Sequence, residues 1–371
     1  MDRKTITVSV ISDLTTDQRV IRICATLQKM GFNVYVIARS FNNSLPLDEY
    51  PFKASRIKCF FRTGILQYAE FNLKLFFKLL FCKTDYLLAN DLDTLIPSYI
   101  VSKVRNKKLI YDTHEYFTGV PELKHSHLKR KTWKFFENRI FPKLKTVYTV
   151  NNSVKNKYFE EYGNKINVVR NVPVTTKKNA IELPIKWENK IILLLQGAGI
   201  NEGRGGLELL ETMKYLPENY LLLFVGSGTQ WETIKQKRNE WNLQNKVEMI
   251  DKLPPAQLQQ FTGMAHIGFS LDSFDDLNCL YNLPNKIFDY IHASVPSIVT
   301  SIPEVENIMN EFKCGVCINN LKPEHLAKTI LDLSQNGTAY EQMKNNCISA
   351  SKILCWENES IILEKIYKPF L

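Results

Sequence analysis

Short apolar runs alternate with stretches of helical periodicity along most of this chain, a rhythm that fits a parallel sheet with crossover helices. Ile6 to Ile11 is apolar and β-branched, Gln18 to Lys29 repeats apolar residues at helical spacing, and Asn33 to Ala38 follows the turn at Gly31. Tyr86 to Ala89, Lys108 to Tyr111 and Thr146 to Val150 are further short strands, each followed by polar loop residues. The rhythm stops at 171–190, where Asn171-Val172-Pro173 and a Lys/Thr/Asn run through Pro184 have no apolar period and read as a linker. It restarts near 191–195, 221–225, 246–250, 266–271 and 296–299. Two α/β domains in tandem are expected, and 371 residues suit two, since single cores stop growing at about 250 to 300 residues. The expected boundaries are 1–172 and 173–350, with a terminal segment 351–371. Its pattern Trp356 to Tyr367 has helical spacing and is expected to cross back to the first domain.

A hydrophobic fraction of 44% and a charged fraction of 23% are those of an ordinary globular protein, without repeats or low-complexity tracts. Met1-Asp2-Arg3-Lys4 leads straight into the first strand rather than a signal peptide, and no run of eighteen uncharged apolar residues occurs. A cytoplasmic location is expected. The eight cysteines, at 24, 59, 82, 279, 314, 317, 347 and 355, form no disulfide framework. Cys314-Gly315-Val316-Cys317 lacks a second CxxC or a histidine pair, which leaves it as core thiols beside a strand rather than half a zinc site.

Residues 1–170 hold 29 Lys/Arg against 15 Asp/Glu, net +14, whereas 171–371 hold 19 against 23, net −4. Within the basic half, Phe71 to Phe81 reads as a helix with a cationic stripe of Lys74 and Lys78 and a wide apolar arc. Lys124 to Lys145 mixes cations with Trp133, Phe135, Phe136 and Phe141. Each is a candidate for peripheral contact with anionic lipid, and the first is equally an ordinary crossover helix. Nucleic acid is not expected as a partner, because no recognised binding module accompanies the charge.

Three loops carry the chemistry. The strand Ile191 to Leu195 turns through Gly197, Gly199, Gly203, Arg204, Gly205 and Gly206 into a helical pattern at Leu207. Glu202 stands where a dinucleotide fingerprint needs its third glycine, and Gly203 is followed by Arg204-Gly205 rather than the Lys-Ser/Thr of a P-loop. What remains is backbone N–H groups, a guanidinium and a helix start, all suited to an anion. By itself the loop is also simply a glycine-rich turn. A second strand, Leu221 to Val225, runs into Gly226-Ser227-Gly228. The third loop, Leu283-Pro284-Asn285-Lys286-Ile287-Phe288-Asp289-Tyr290, starts a helix. Helix chemistry accounts for its proline and apolar residues, but not for Asn285, Lys286 and Asp289.

With these motifs the chain resembles retaining glycosyltransferases of the GT-B type, in the large family 4 group that builds bacterial surface polysaccharides. The residues carrying the resemblance are Gln196-Gly197-Ala198-Gly199 with Arg204-Gly205, Phe224-Val225-Gly226-Ser227-Gly228, and Leu283 to Tyr290 with Val295-Pro296. Upstream, Ser12-Asp13 through Asp17-Gln18-Arg19-Val20 and Tyr111-Asp112-Thr113-His114-Glu115 belong to the same pattern. The resemblance implies two Rossmann-like domains whose parallel sheets face each other across a cleft, with the donor in the second. Arg204 and Lys286 would then bind the diphosphate, Gly197 and Gly199 would offer N–H groups, Asn285 would lie beside them, and Asp289 would hold the ribose diol. Gly226, Gly228 and Ile250 would border the base. His114, at the carboxyl edge of a first-domain strand, would be catalytic, orienting sugar or acceptor and stabilising the oxocarbenium-like state; Asp13, Asp17 and Glu115 are weaker acceptor-side candidates.

The implied reaction moves a sugar from a nucleotide diphosphate to a hydroxyl of a glycan or lipid-linked acceptor, with no metal and no cofactor, because two cations offset the leaving group's charge. Two readings compete with it: a sugar-nucleotide 2-epimerase of the same fold, and a non-catalytic nucleotide-binding partner subunit. Two departures from the family pattern bear on these. Asp289 stands for the second of two glutamates eight positions apart and Tyr281 for the first, so contacts to the transferred sugar do not carry over. The usual glycine-rich loop after the first strand is replaced by Asp13 to Gln18.

Overall fold

The computed structural model describes residues 3–42, 44–47, 50–119, 123, 126–176, 184–274 and 280–371. The stretch 177–183 of the expected linker, Lys124 at the head of the basic segment, and Cys279 lie outside the described residues. The chain divides into two compact units, 1–171 with 356–371, and 172–355.

The first unit runs β1 (Thr5–Ser9), α1 (Gln18–Lys29), β2 (Asn33–Ser40), β3 (Lys53–Lys58), α2 (Gly64–Phe81), β4 (Tyr86–Asn90) and α3 (Leu92–Val104). It continues through β5 (Lys108–Thr113), α4 (His127–Ile140), β6 (Thr146–Thr149), α5 (Asn152–Tyr162) and β7 (Asn167–Val168). Its seven strands pair in parallel in the order β3-β2-β1-β4-β5-β6-β7. The order reverses between β1 and β4. Crevices at such reversals, outside the carboxyl ends of the strands, are where open α/β sheets bind ligands.

Helix α1 shows how the pattern becomes structure. Asp17 caps it by accepting the Val20 N–H, and Val20, Ile23, Cys24 and Leu27 fall on one buried face at helical spacing. They pack with Ile6, Val8 and Val36 of the sheet, and each large aliphatic buried this way contributes about 1.5–3 kcal/mol. The opposite face of the sheet is covered by Phe71, Leu75 and Leu79 of α2.

The second unit contains β8 (Ile191–Gly197), α6 (Gly206–Thr212), β9 (Tyr220–Gly226), α7 (Trp231–Glu240), β10 (Val247–Asp251), α8 (Pro255–Met264) and β11 (Ile267–Ser270). After these come α9 (Asn285–Ala293), β12 (Ser297–Thr300), α10 (Pro303–Phe312), β13 (Gly315–Ile318), α11 (Pro323–Gln335) and α12 (Gly337–Ser351). The strands are again parallel, in the order β10-β9-β8-β11-β12-β13, with the reversal between β8 and β11. Trp187, inside the stretch expected to be linker, is buried in this unit's core, where its ring meets Phe261. Cys314, just before β13, is fully buried and Cys317, within it, is half-buried, and no group of three or more His, Cys, Asp or Glu side chains suited to a metal occurs among the described residues.

The last helix, α13 (Trp356–Tyr367), packs in the first unit. Trp356 Nε1 donates to Thr26 Oγ1 at 3.1 Å, and Glu359 accepts from the Arg170 N–H and Nε at 2.8 and 2.7 Å. No helix among the described residues is long and apolar enough to cross a membrane.

Candidate functional site

In the second unit, the carboxyl edge at the β8/β11 reversal gathers most of the residues singled out in its three loops. Helix α9 is pinned there by Tyr290, whose hydroxyl donates to the carbonyls of Leu194 on β8 and Phe269 on β11, both at 3.1 Å. Ile287, Phe288 and Ile291 bury the same helix against Val299 and Ile302. One turn before Tyr290, Lys286 is thereby brought over the first glycine loop. A Cβ built on Gly197 would lie 3.8 Å from the Lys286 ammonium.

Asp289 is held from the sheet side. Its Oδ2 accepts from Gln196 Nε2 at 3.1 Å, and Gln196 Oε1 in turn accepts from Thr262 Oγ1 at 2.7 Å. Arg204 Nη1 donates to Oδ1 of Asp272, a buried carboxylate just beyond β11. Burial depresses the Lys286 ammonium below its usual range; Asp272 and Asp289 pull the other way, and the Arg204 guanidinium adds to the depression. Arg204, Lys286, Asp272 and Asp289 thus form one electrostatic cluster. Among the described residues no hydrogen-bond or ion-pair partner holds the Lys286 ammonium. Asn285 is exposed at the first turn of α9.

The glycines of the first two loops have packing reasons as well. Gly226 has φ +148°, and a Cβ there would sit 1.9 Å from the Gly197 carbonyl oxygen, so only glycine lets the ends of β8 and β9 lie side by side. At Gly228 a Cβ would lie 2.2 Å from the Ile200 carbonyl oxygen. Backbone bonds from Ile200 N to Ser227 O and from Ser227 N to Gly197 O join the two loops. Ile250 is half-buried on β10, in register with Val225 of β9. Helix α6 starts at Gly206 and has only seven residues.

The first unit holds His114 directly after β5, at the β1/β4 reversal's neighbouring edge, in a network that the motif did not announce. Its Nδ1 lies 3.2 Å from Asp91 Oδ2; its Nε2 lies 3.2 Å from both Asp112 Oδ2 and Asn90 Oδ1. Asp112, fully buried, is gripped by Arg19, with Nε to Oδ2 at 2.9 Å and Nη2 to Oδ1 at 2.7 Å. Burial alone would lower the imidazole, but Asp91 and Asp112 overcome it and push the ring up to about 9. His114 is therefore an imidazolium at neutral pH with both nitrogens on protein acceptors. Such a ring holds its neighbours Asp91 and Asp112 in place. Asp91, whose Oδ1 also takes the His114 N–H at 2.8 Å, has φ +57° and ψ 168°, a region normally left to glycine. Strain of this kind, worth about 1–3 kcal/mol, concentrates at functional sites.

The weaker acceptor-side candidates do structural work. Both carboxylate oxygens of Asp17 are engaged, by Val20 N at 3.1 Å and Ser12 Oγ at 2.5 Å. Asp13 pairs with Arg56 at 2.8 Å; its hydrogen bonds to Ser44 and Thr15 outweigh burial and hold the carboxyl below its usual range. Glu115 is half-buried, and its carbonyl accepts from Thr113 Oγ1. Asn90, Asp91 and Asp272 were missed in the sequence, and Arg19, though part of a motif, was given no role there. Asn90-Asp91 and Asp272 carried a usable signal, since they stand at or just past the ends of apolar strands.

Lys74 and Lys78 turn toward the protein. Lys74 donates to the Lys58 carbonyl at 2.8 Å and Glu70 at 2.6 Å, and Lys78 to Ser55 at 2.6 Å. Of the second basic segment, Lys134 is taken up by Glu137 and Glu161, Trp133 packs on Tyr68 and Phe117, and Phe141 is buried.

Residues 17–172 match a family model described as Glycosyltransferase Family 4, and residues 182–350 match one described as Glycosyl transferases group 1. No curated protein matches the chain. Among solved structures, sucrose-phosphate synthase from Thermosynechococcus elongatus is 14% identical, with 99% of each chain covered and a TM-score of 0.82. HepE of Anabaena in complex with UDP-glucose is 13% identical, with 99% of each chain covered and a TM-score of 0.76. A putative UDP-N-acetylglucosamine 2-epimerase from Listeria monocytogenes is 15% identical over 100% of this chain and 97% of that one, with a TM-score of 0.68. At such identities the likeness is one of fold, whereas the two family models leave only 1–16, 173–181 and 351–371 unmatched. The chain thus carries a glycosyltransferase family 4 domain followed by a glycosyl transferases group 1 domain, on the fold of the GT-B glycosyltransferases.

Proposed function

We propose that the protein transfers a sugar, with retention, from a nucleoside diphosphate donor to a hydroxyl of a glycan or lipid-linked acceptor in cell-surface polysaccharide synthesis, without a metal. The observation that carries this reading is the Lys286 ammonium lying against the Gly197 loop, beside Arg204 and Asp289, at the β8/β11 reversal. Two cations next to a glycine loop suit a diphosphate and offset its charge as it departs. Asp289, oriented by Gln196, suits a ribose diol. In the first unit, His114 acts as a positioning residue that holds Asp91 on the acceptor side.

A thermal-shift screen tests the donor assignment, because a ligand bound to the native state at 100 times its Kd adds about 2.7 kcal/mol of stability. UDP and UDP-glucose lead the panel, since HepE, a protein of this fold, binds both. GDP-mannose, UDP-N-acetylglucosamine, dTDP and CMP compounds complete it. At least one nucleotide should raise the melting temperature at millimolar concentration; if none does, the donor site is refuted. An epimerised nucleotide sugar with no transfer product would instead favour the epimerase.

The lipid-linked acceptor brings a membrane with it. The outward arc of α2 presents Leu66, Leu73, Phe77 and Phe81, the last 80% exposed, on a unit whose first 170 residues carry a net charge of +14. This apolar face, not Lys74 and Lys78, is the surface we assign to anionic lipid. Phe77→Glu with Phe81→Glu should weaken binding to phosphatidylglycerol vesicles by about tenfold or more, given about 1.5–3 kcal/mol for each buried phenyl ring. Vesicle binding equal to that of the parent protein would remove the membrane from the reading.

A further inference from the structure

Asp272, in the second unit's charged cluster, has a carboxylate oxygen that the ion pairs leave unfinished. It lies two residues past the end of β11, at the carboxyl edge of the β8/β11 reversal, and is 2% exposed. Its Oδ1 takes the Arg204 guanidinium. Its Oδ2 is buried and has no hydrogen-bond partner among the described residues.

A buried carboxylate oxygen without a donor is rare in folded proteins, because it gives up its water without replacement. A role confined to holding Arg204 accounts for Oδ1 alone. The unused oxygen accepts and cannot donate, so the group that completes it must bring an O–H or N–H. A diphosphate brings neither, and its own charge repels a carboxylate. Of the donor's remaining parts, the ribose diol has Asp289, and the base would lie toward β9 and β10, on the other side of β8 from β11. Asp272 and Asp289 are the two carboxylates that act on the Lys286 ammonium. A hydroxyl on the sugar attached to the diphosphate is the donor left for the first of them.

Building on the donor site above, we propose that Asp272 binds the transferred sugar, with its Oδ2 accepting a hydroxyl of that sugar while its Oδ1 steadies Arg204. The residue thereby joins sugar recognition to diphosphate recognition. Tyr281, half-buried before α9, supplies no carboxylate for this purpose.

The test compares each free nucleoside diphosphate with its sugar-bearing form, UDP with UDP-glucose and UDP-N-acetylglucosamine and GDP with GDP-mannose, on the parent protein and on Asp272→Asn. The asparagine keeps the shape and removes the charge. It should bind the free nucleotide as well as the parent or more tightly, since Arg204 is released to the phosphates. It should lose about tenfold to hundredfold in affinity for the sugar-bearing form and in kcat/KM, as expected for a lost hydrogen bond to a charged acceptor. Asp272→Ala gives the same split should the asparagine variant fold poorly. Equal losses for both ligand forms would make Asp272 a support for Arg204 only, and unchanged affinity for both would equally overturn the proposal. Failure of the parent protein to bind any nucleotide is a different result, which removes the donor site itself.

Discussion

Lys286→Met should lower kcat/KM for the cognate nucleotide sugar by about 10²- to 10³-fold, the range for removing one preorganised charge-stabilising group, and yet raise the melting temperature of the ligand-free protein. Both effects follow from one environment. Burial, reinforced by the Arg204 guanidinium, holds the ammonium below its usual 10.5 against the pull of Asp272 and Asp289. A folded-state value below the unfolded one means that the unfolded chain takes up the proton more readily. Stability contributed by this group therefore rises with pH through the window below 10.5 and is lost as pH falls. At neutral pH the charged lysine is a burden that a diphosphate would relieve. Methionine keeps much of the aliphatic stem and removes the charge. The gain in melting temperature over the parent should be largest near pH 7 and shrink toward pH 10. A lysine that only filled space would show the reverse, a lower melting temperature with activity falling in step. Scans at both pH values, with and without the nucleotide found by screening, separate the two.

The parts of this molecule that could be read from the sequence are those built by local rules. Alternation of apolar runs yields both sheets, the spacing of Val20, Ile23, Cys24 and Leu27 yields α1, and the proline before Asn285 marks the start of α9. What escaped depends on pairings far apart in the chain or on segments with weak patterning. Strand β3, Lys-Ala-Ser-Arg-Ile-Lys, lies at the sheet edge and has no apolar alternation strong enough to see. Lys74 and Lys78 looked like a cationic stripe for anionic lipid because periodicity records which face a residue occupies and not that β3 waits there with the Lys58 carbonyl and Ser55. The donor cluster was half legible: Arg204, Lys286 and Asp289 stand in recognisable motifs, whereas Asp272 is ordinary in sequence and becomes informative through its unpaired Oδ2. Gly226 and Gly228 were read for a ligand, and the structure adds that backbone contact with Gly197 and Ile200 requires them.

The His114 network escaped for the same reason, and it sets the second large effect. Asp112→Ala should destabilise the first unit by about 3–5 kcal/mol, the range for removing one partner of a buried ion pair. Asp112 is fully buried and Arg19 is 2% exposed, with two bonds between them and a third from Arg19 Nη1 to the Val169 carbonyl at 2.7 Å. Removing the carboxylate strands the guanidinium and takes away one of the two anions that keep His114 charged. Arg19→Met combined with Asp112→Ala should therefore cost less than Asp112→Ala alone, because no guanidinium is left uncompensated, and a double-mutant cycle followed by urea unfolding measures the difference. The histidine adds a pH signature. Its folded value, about 9, exceeds the ordinary 6.5, so its stabilising contribution is complete below 6.5 and is lost as pH rises through 9. His114→Gln should accordingly lower the melting temperature most near pH 6 and least near pH 9.5. An equal deficit at both values would show that the ring is held by packing rather than by Asp91 and Asp112. The activity of the parent protein carries the same information: an imidazolium that positions Asp91 leaves the rate flat through pH 6.5 and lets it fall near 9. A limb with a midpoint near 6.5 would mean that the ring works unshifted, as a base.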